Sequence, residues 1–167
     1  MTLKENILEI ACKKNACITG IDKLLEVNTA VELIDCYFRY IDFCLAKKVP
    51  NMGFIRANFD NKLLMDNGVY LDTTGKENNL KRCAVIGRSN MTLNYDGYSV
   101  GRIYAADNSK VEINASGKAY VIVDAVDTAK ITVNSSDNAK VIVSAYRNTE
   151  VSGNAKIIRK KTSTYDL

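Results

Sequence analysis

The residues of this chain that could do chemistry are five cysteines, a recurrent aspartate and a few arginines, and histidine is absent altogether. Without imidazole there is no general base of the triad type, and the commonest ligand of metal sites is missing. Cys12 and Cys17 form a C-x4-C pair, and Cys36 and Cys44 a C-x7-C pair, spacings that match no compact zinc knuckle. With Cys83 they make an odd number without framework spacing, which reads as reduced, buried thiols. No two carboxylates are spaced for acid–base work. The expectation is a non-enzyme with no metal and no cofactor.

What positions these residues is a repeat of ten, running from about residue 79 to residue 159. Units start at Ser89, Ser99, Ser109, Ala119, Ala129, Ala139 and Thr149. Their third residues run Met91, Gly101, Val111, Val121, Ile131, Val141, Val151, and their fifth Leu93, Ile103, Ile113, Val123, Val133, Val143. Their seventh are Tyr95, Ala105, Ala115, Ala125, Ser135 and Ala145. Alternation at every second position, closed by Asp107-Asn108, Gly117-Lys118, Asp127-Thr128 or Asp137-Asn138, is a strand pattern. One such strand cannot bury its own apolar face, so the array reads as a solenoid.

The outward positions set the geometry. In the units starting at Ser89, Ser109, Ala129 and Thr149 they are polar throughout, as in Lys110, Glu112, Asn114, Ser116. In the interleaved units they are largely apolar, as in Val100, Arg102, Tyr104, Ala106 and Tyr120, Ile122, Asp124, Val126. A flat meander gives no reason for this parity. A coil of two strands and about 20 residues does, with alternate decads building opposite parallel sheets. Gly97, Gly117 and Asp137 then fall at one corner, and Gly87, Asp107, Asp127 and Arg147 at the other; Gly and Asp tolerate the left-handed backbone of tight corners. An antiparallel β-sandwich with strands alternating between sheets is the alternative. The corner aspartates suggest calcium-binding β-rolls, but those use a glycine-rich nonapeptide, so the expectation here is turn formation without metal.

The expected class is α+β, with a helical subdomain over 1–60, a linker or lead-in over 61–78, the solenoid over 79–160 and a flexible tail over 161–167. Thr2-Leu3-Lys4-Glu5 and Thr29-Ala30-Val31-Glu32 both have the form of a capping box. The first opens a helix to about Lys14. Gly20 is expected to break the pattern before a short helix from Ile21 to Val27. The second box opens one long helix striped by Val31, Ile34, Phe38, Ile41 and Leu45 and ended by Pro50, with Phe54, Ile55 and Phe59 pointing inward from a last turn or two. Thr73 to Asn79 reads as a polar linker.

The chain has 167 residues, 47% hydrophobic and 25% charged, with a net charge of +4 that permits an acidic partner without demanding one. No apolar run is long enough for a membrane span and the start lacks a signal-peptide core, so the expected compartment is the cytoplasm and no membrane partner is expected. The candidate binding residues are Val100, Tyr104, Tyr120, Ile122, Val126, Ile142 and Tyr146, the apolar face of the second sheet. Arg82 and Arg102, stacked one coil apart, need a shared anion or a carboxylate such as Asp124, which makes them the candidate anion site.

Residues Asp137 to Tyr146, D-N-A-K-V-I-V-S-A-Y, resemble the decapeptide arrays of poorly characterised proteins of gut Bacteroidetes and their phages or mobile elements. The run Tyr37 to Cys44, followed by Phe54-Ile55, is similar to the helical leader of some of them. The resemblance implies a phage or mobile-element setting and transfers no functional residue. With the sequence it supports a protein–protein interaction module, of which an inhibitor of a host defence complex such as an anti-CRISPR protein is one form. The alternatives are a self-associating structural component, a homodimer included, and a nucleic-acid or polyanion binder through Arg82, Arg102 and the basic tail.

Overall fold

The structure, a computed structural model, describes residues 1–167. The chain divides into two compact units, Met1–Asn67 with Tyr165–Leu167, and Gly68–Thr164.

The first unit is helical: α1 (Leu3–Lys13), α2 (Ile18–Glu26), α3 (Ala30–Arg39), α4 (Ile41–Lys47), α5 (Met52–Asn58) and α6 (Asn61–Asp66). Both capping boxes form, Thr2 with Glu5 and Thr29 with Glu32, each satisfying two backbone N–H groups at a helix start. Ile7, Ala11, Leu24, Val27, Leu33 and Val49 make a core against which Phe54 and Phe59 pack.

Gly20 lies inside α2 rather than breaking it, because Cys17 starts the helix one turn earlier. A Cβ at Gly20 would lie 3.7 Å from the Tyr40 ring, whose hydroxyl donates to the Thr19 carbonyl at 3.1 Å. Close packing offsets the roughly 1 kcal/mol that glycine costs a helix. The expected single helix from Ala30 divides at Tyr40, which leaves helical geometry (φ −118°, ψ 35°) while its N–H still donates to Cys36. Val31, expected in the apolar stripe, is exposed.

The second unit is a parallel β-solenoid. Its even sheet has six strands in the order β1 (Val69–Leu71), β3 (Arg82–Ile86), β5 (Val100–Ala105), β7 (Tyr120–Ala125), β9 (Lys140–Ala145), β11 (Lys156–Arg159). Its odd sheet has five, in the order β2 (Thr74–Asn78), β4 (Asn90–Tyr95), β6 (Lys110–Ala115), β8 (Lys130–Ser135), β10 (Glu150–Gly153). Every pairing is parallel, which removes the antiparallel sandwich. Consecutive decads build opposite sheets, and Val100, Tyr120 and Lys140 share one column.

The regular coil advances 20 residues, as from Ile103 to Val123. The end coils are shorter, 16 residues from Thr74 to Asn90 and 14 from Ile142 to Lys156. Ile103, Ile113, Val123, Val133 and Val143 are buried between the sheets, each contributing about 1.5–3 kcal/mol. Residues 74–78, expected as linker, form β2 instead. Its sequence T-G-K-E-N has no apolar alternation because β2 is an edge strand, held by main-chain pairing to β4 and by the Asn94 amide on Asn78 Oδ1 at 2.8 Å.

Gly87, Gly97, Gly117, Asp107, Asp127 and Asp137 all have positive φ, the left-handed corner expected of them, and Arg147 does not. The corner carboxylates bond along the stack. Gly87 N–H donates to Asp107 and Asp107 N–H to Asp127, both at 3.1 Å, and Gly117 N–H donates to Asp137 at 2.9 Å.

Residues 161–164, expected to be mobile, run back along one corner. Asp127 N–H donates to the Ser163 carbonyl and Arg147 N–H to the Thr162 carbonyl, both at 2.8 Å. Where the next coil would offer an aspartate, Arg147 offers no acceptor, and the chain's own tail supplies the carbonyl.

The candidate interaction face of the even sheet

Register in the even sheet sets three outward columns. The first is Val100, Tyr120, Lys140. The second is Arg82, Arg102, Ile122, Ile142, Lys156, and the third Ala84, Tyr104, Asp124, Ser144, Ile158. Of the residues expected to form a binding face, Val100 is 62% exposed and Tyr120 37%, while Tyr104, Ile122 and Ile142 are half-buried. Val126 and Tyr146 do not belong to it. Both lie just past the strand ends and are buried, at the corner where Asp127 and Arg147 bond the returning tail.

Four further residues belong to the face, of which sequence reasoning missed Lys118 and Ile158 and singled out Tyr98 and Lys156 only as an aromatic among cations and as part of the basic tail. Tyr98 is 78% exposed at the corner leading into β5, and Lys118 Nζ stands 5.1 Å over its ring and donates to its hydroxyl at 3.2 Å. Lys156 and Ile158 join through the short last coil, which sets them above Ile142 and Ser144. The shortened last decad, Thr149 to Asn154, was the signal for that register.

Arg82 and Arg102 do stack in register, one coil apart. Arg102 Nη2 donates to Asp124 Oδ2 at 2.7 Å, and the guanidinium lies 5.2 Å from the Tyr104 centroid. Asp124 is buried and Arg102 only partly exposed, so the pair is a charge-assisted hydrogen bond fixed within the face. The stack is therefore not an open clamp of two guanidinium groups.

The odd sheet carries a different feature. Asn94, Asn114 and Asn134 form an amide ladder, each donating to the asparagine of the preceding coil at 2.8–3.1 Å. With Ser116, Ser136 and Asn154 they line an open groove of about 690 Å³. The ladder amides are spent on one another, the Asn154 amide donates to the Ser135 carbonyl, and the groove's one carboxylate, Asp96, accepts the Asn79 amide. No group of three His, Cys, Asp or Glu side chains is placed to hold a metal ion, and the corner carboxylates accept backbone N–H groups. No helix is long and apolar enough to cross a membrane.

Fold and face together define a class: a two-sheet parallel β-solenoid, in one chain with a six-helix unit, that leaves apolar side chains exposed on one sheet. Comparison with protein-family models, curated proteins and solved structures gives no match for this chain.

Proposed function

We propose that this protein is a non-enzymatic protein–protein interaction module that works through the outer face of its even sheet. One observation carries the reading: Val100 and Tyr120 stand side by side on a rigid sheet and remain exposed, next to exposed Tyr98. Solvent-facing apolar groups gathered on one surface cost solubility unless something covers them. Aromatic anchors beside cations are the composition of interface hot spots. Self-association is less well supported, because each copy would bring Lys118, Lys140 and Lys156 to the contact and no carboxylate from the columns of Val100 and Ile122 to meet them. The resemblance to arrays of phages and mobile elements gives the module a setting, in which the partner is a host protein.

The test is affinity capture from host cells with the wild-type chain and with Tyr120→Glu and Ile122→Glu. Loss of the same captured protein from both variants supports the reading. Equal recovery by all three chains removes the face from it.

A further inference from the structure

We infer that the partner segment docking on this face is acidic and partly apolar, an inference that rests on the even face being the interaction surface. In the first two columns the outward side chains are apolar or cationic, and the one carboxylate of the third, Asp124, is buried. Val100, Tyr120 and Ile122 make the apolar middle, and Lys118, Lys140 and Lys156 lie at its margins.

The nearby carboxylates have partners other than these lysines, with Asp96 and Asp137 still exposed and charged at the corner of Lys118. Asp124 holds Arg102 at 2.7 Å. At the corner before β5, Asp96 accepts the Asn79 amide at 2.9 Å, and at the same corner Asp137 accepts the Gly117 N–H, also at 2.9 Å. The cationic rim is thus left to be matched from outside.

Aliphatic groups at the centre gain nothing from phosphates, which sets this face apart from a nucleic-acid groove. A second copy would bring the same lysines and, from these two columns, no carboxylate to meet them. A protein segment whose apolar side chains cover Val100 and Tyr120, and whose flanking Asp or Glu meet the lysines, satisfies both the middle and the margin. Tyr98 fixes part of that margin by holding Lys118 over its ring.

The test is selection of a displayed random-peptide library on the immobilised full chain, with two double variants as comparators. Val100→Glu/Tyr120→Glu alters the apolar middle, and Lys118→Glu/Lys140→Glu reverses the rim. All four positions are exposed, and unchanged circular dichroism and unfolding midpoints establish that both variants fold.

The expected result is enrichment of peptides rich in Asp or Glu with interspersed apolar residues. A synthetic peptide of that kind should lose about tenfold or more in affinity on either variant, and should weaken on the wild type as salt rises. Enrichment of neutral or basic peptides that still need Val100 and Tyr120 overturns the acidic partner while leaving the interaction face intact. No enrichment, or enrichment blind to both variants, overturns both. Tighter binding of a labelled single-stranded oligonucleotide than of the best peptide, lost in the lysine variant, overturns it in favour of nucleic acid.

Discussion

The ring of Tyr95 fills the space in which a side chain at residue 101 would have to stand: a Cβ added to Gly101 would lie 2.6 Å from its Cζ and 2.7 Å from its hydroxyl oxygen. Two exceptions to the decad therefore explain each other. Position seven is Ala or Ser in the later units, position three is Met, Val or Ile elsewhere, and the thin interior accepts a tyrosine only where the facing residue has no side chain.

Gly101→Val should destabilise the chain by about 1–3 kcal/mol through overpacking. Tyr95→Ala should cost about 3–5 kcal/mol through the cavity it opens. The double variant should recover at least about 1 kcal/mol of their sum. Urea unfolding of the four proteins measures the coupling, and strict additivity would show that the two residues do not share this space. The buried Tyr95 hydroxyl has no hydrogen-bond partner, so Tyr95→Phe should leave stability unchanged or raise it by about 1 kcal/mol.

The thiols should separate by reactivity. Cys12 and Cys17 are exposed, and hydrogen bonds with the Thr19 hydroxyl and the Gly20 N–H hold the Cys17 thiol below the usual range. Burial pushes Cys83 up to about 12. Labelling with a thiol reagent followed by mass mapping should find Cys17 modified first and Cys83 only on unfolding.

The same burial sets a pH dependence. The native chain keeps the Cys83 proton that the unfolded chain releases from about pH 9. Stability from this group is complete below about pH 9 and falls as pH rises toward about 12, at about 1.4 kcal/mol per pH unit. Cys83→Ala should remove one proton's worth of that alkaline slope, read from denaturant midpoints across the range.

At the corners, Asp127 combines a left-handed backbone with a carboxylate that accepts the Asp107 N–H. Asp127→Ala loses both and should cost about 1–3 kcal/mol. Asp127→Asn keeps an acceptor oxygen and tolerance of positive φ, and should restore most of it. Equal losses in thermal melts of the two variants would show that charge, not the hydrogen bond, matters there.

Removing residues 162–167 takes away the carbonyls that accept Asp127 and Arg147 N–H. Hydrogen exchange at those two amides should accelerate, and the melting temperature should drop by several degrees. Unchanged protection would return these residues to the mobile tail expected of a polar, basic terminus.

The chain by itself determined the coil. Strand alternation, the parity of outward residues and the Gly and Asp corners are properties of neighbours in sequence, and Ile103, Val123 and Val143 fall between the sheets as their spacing requires, while the parallel pairing that removes the antiparallel sandwich came from the structure. Both capping boxes were legible because they lie within four residues. The tertiary structure alone decided what lies against what. Polar β2 became a strand by pairing with β4, Gly20 stayed helical where the Tyr40 ring approaches, and Val126 and Tyr146 left the candidate face because they fall at a buried corner. The face gained Lys156 and Ile158 only through a coil shortened to 14 residues. Periodicity states which way a side chain points, and only the assembled stack states whether anything stands in front of it.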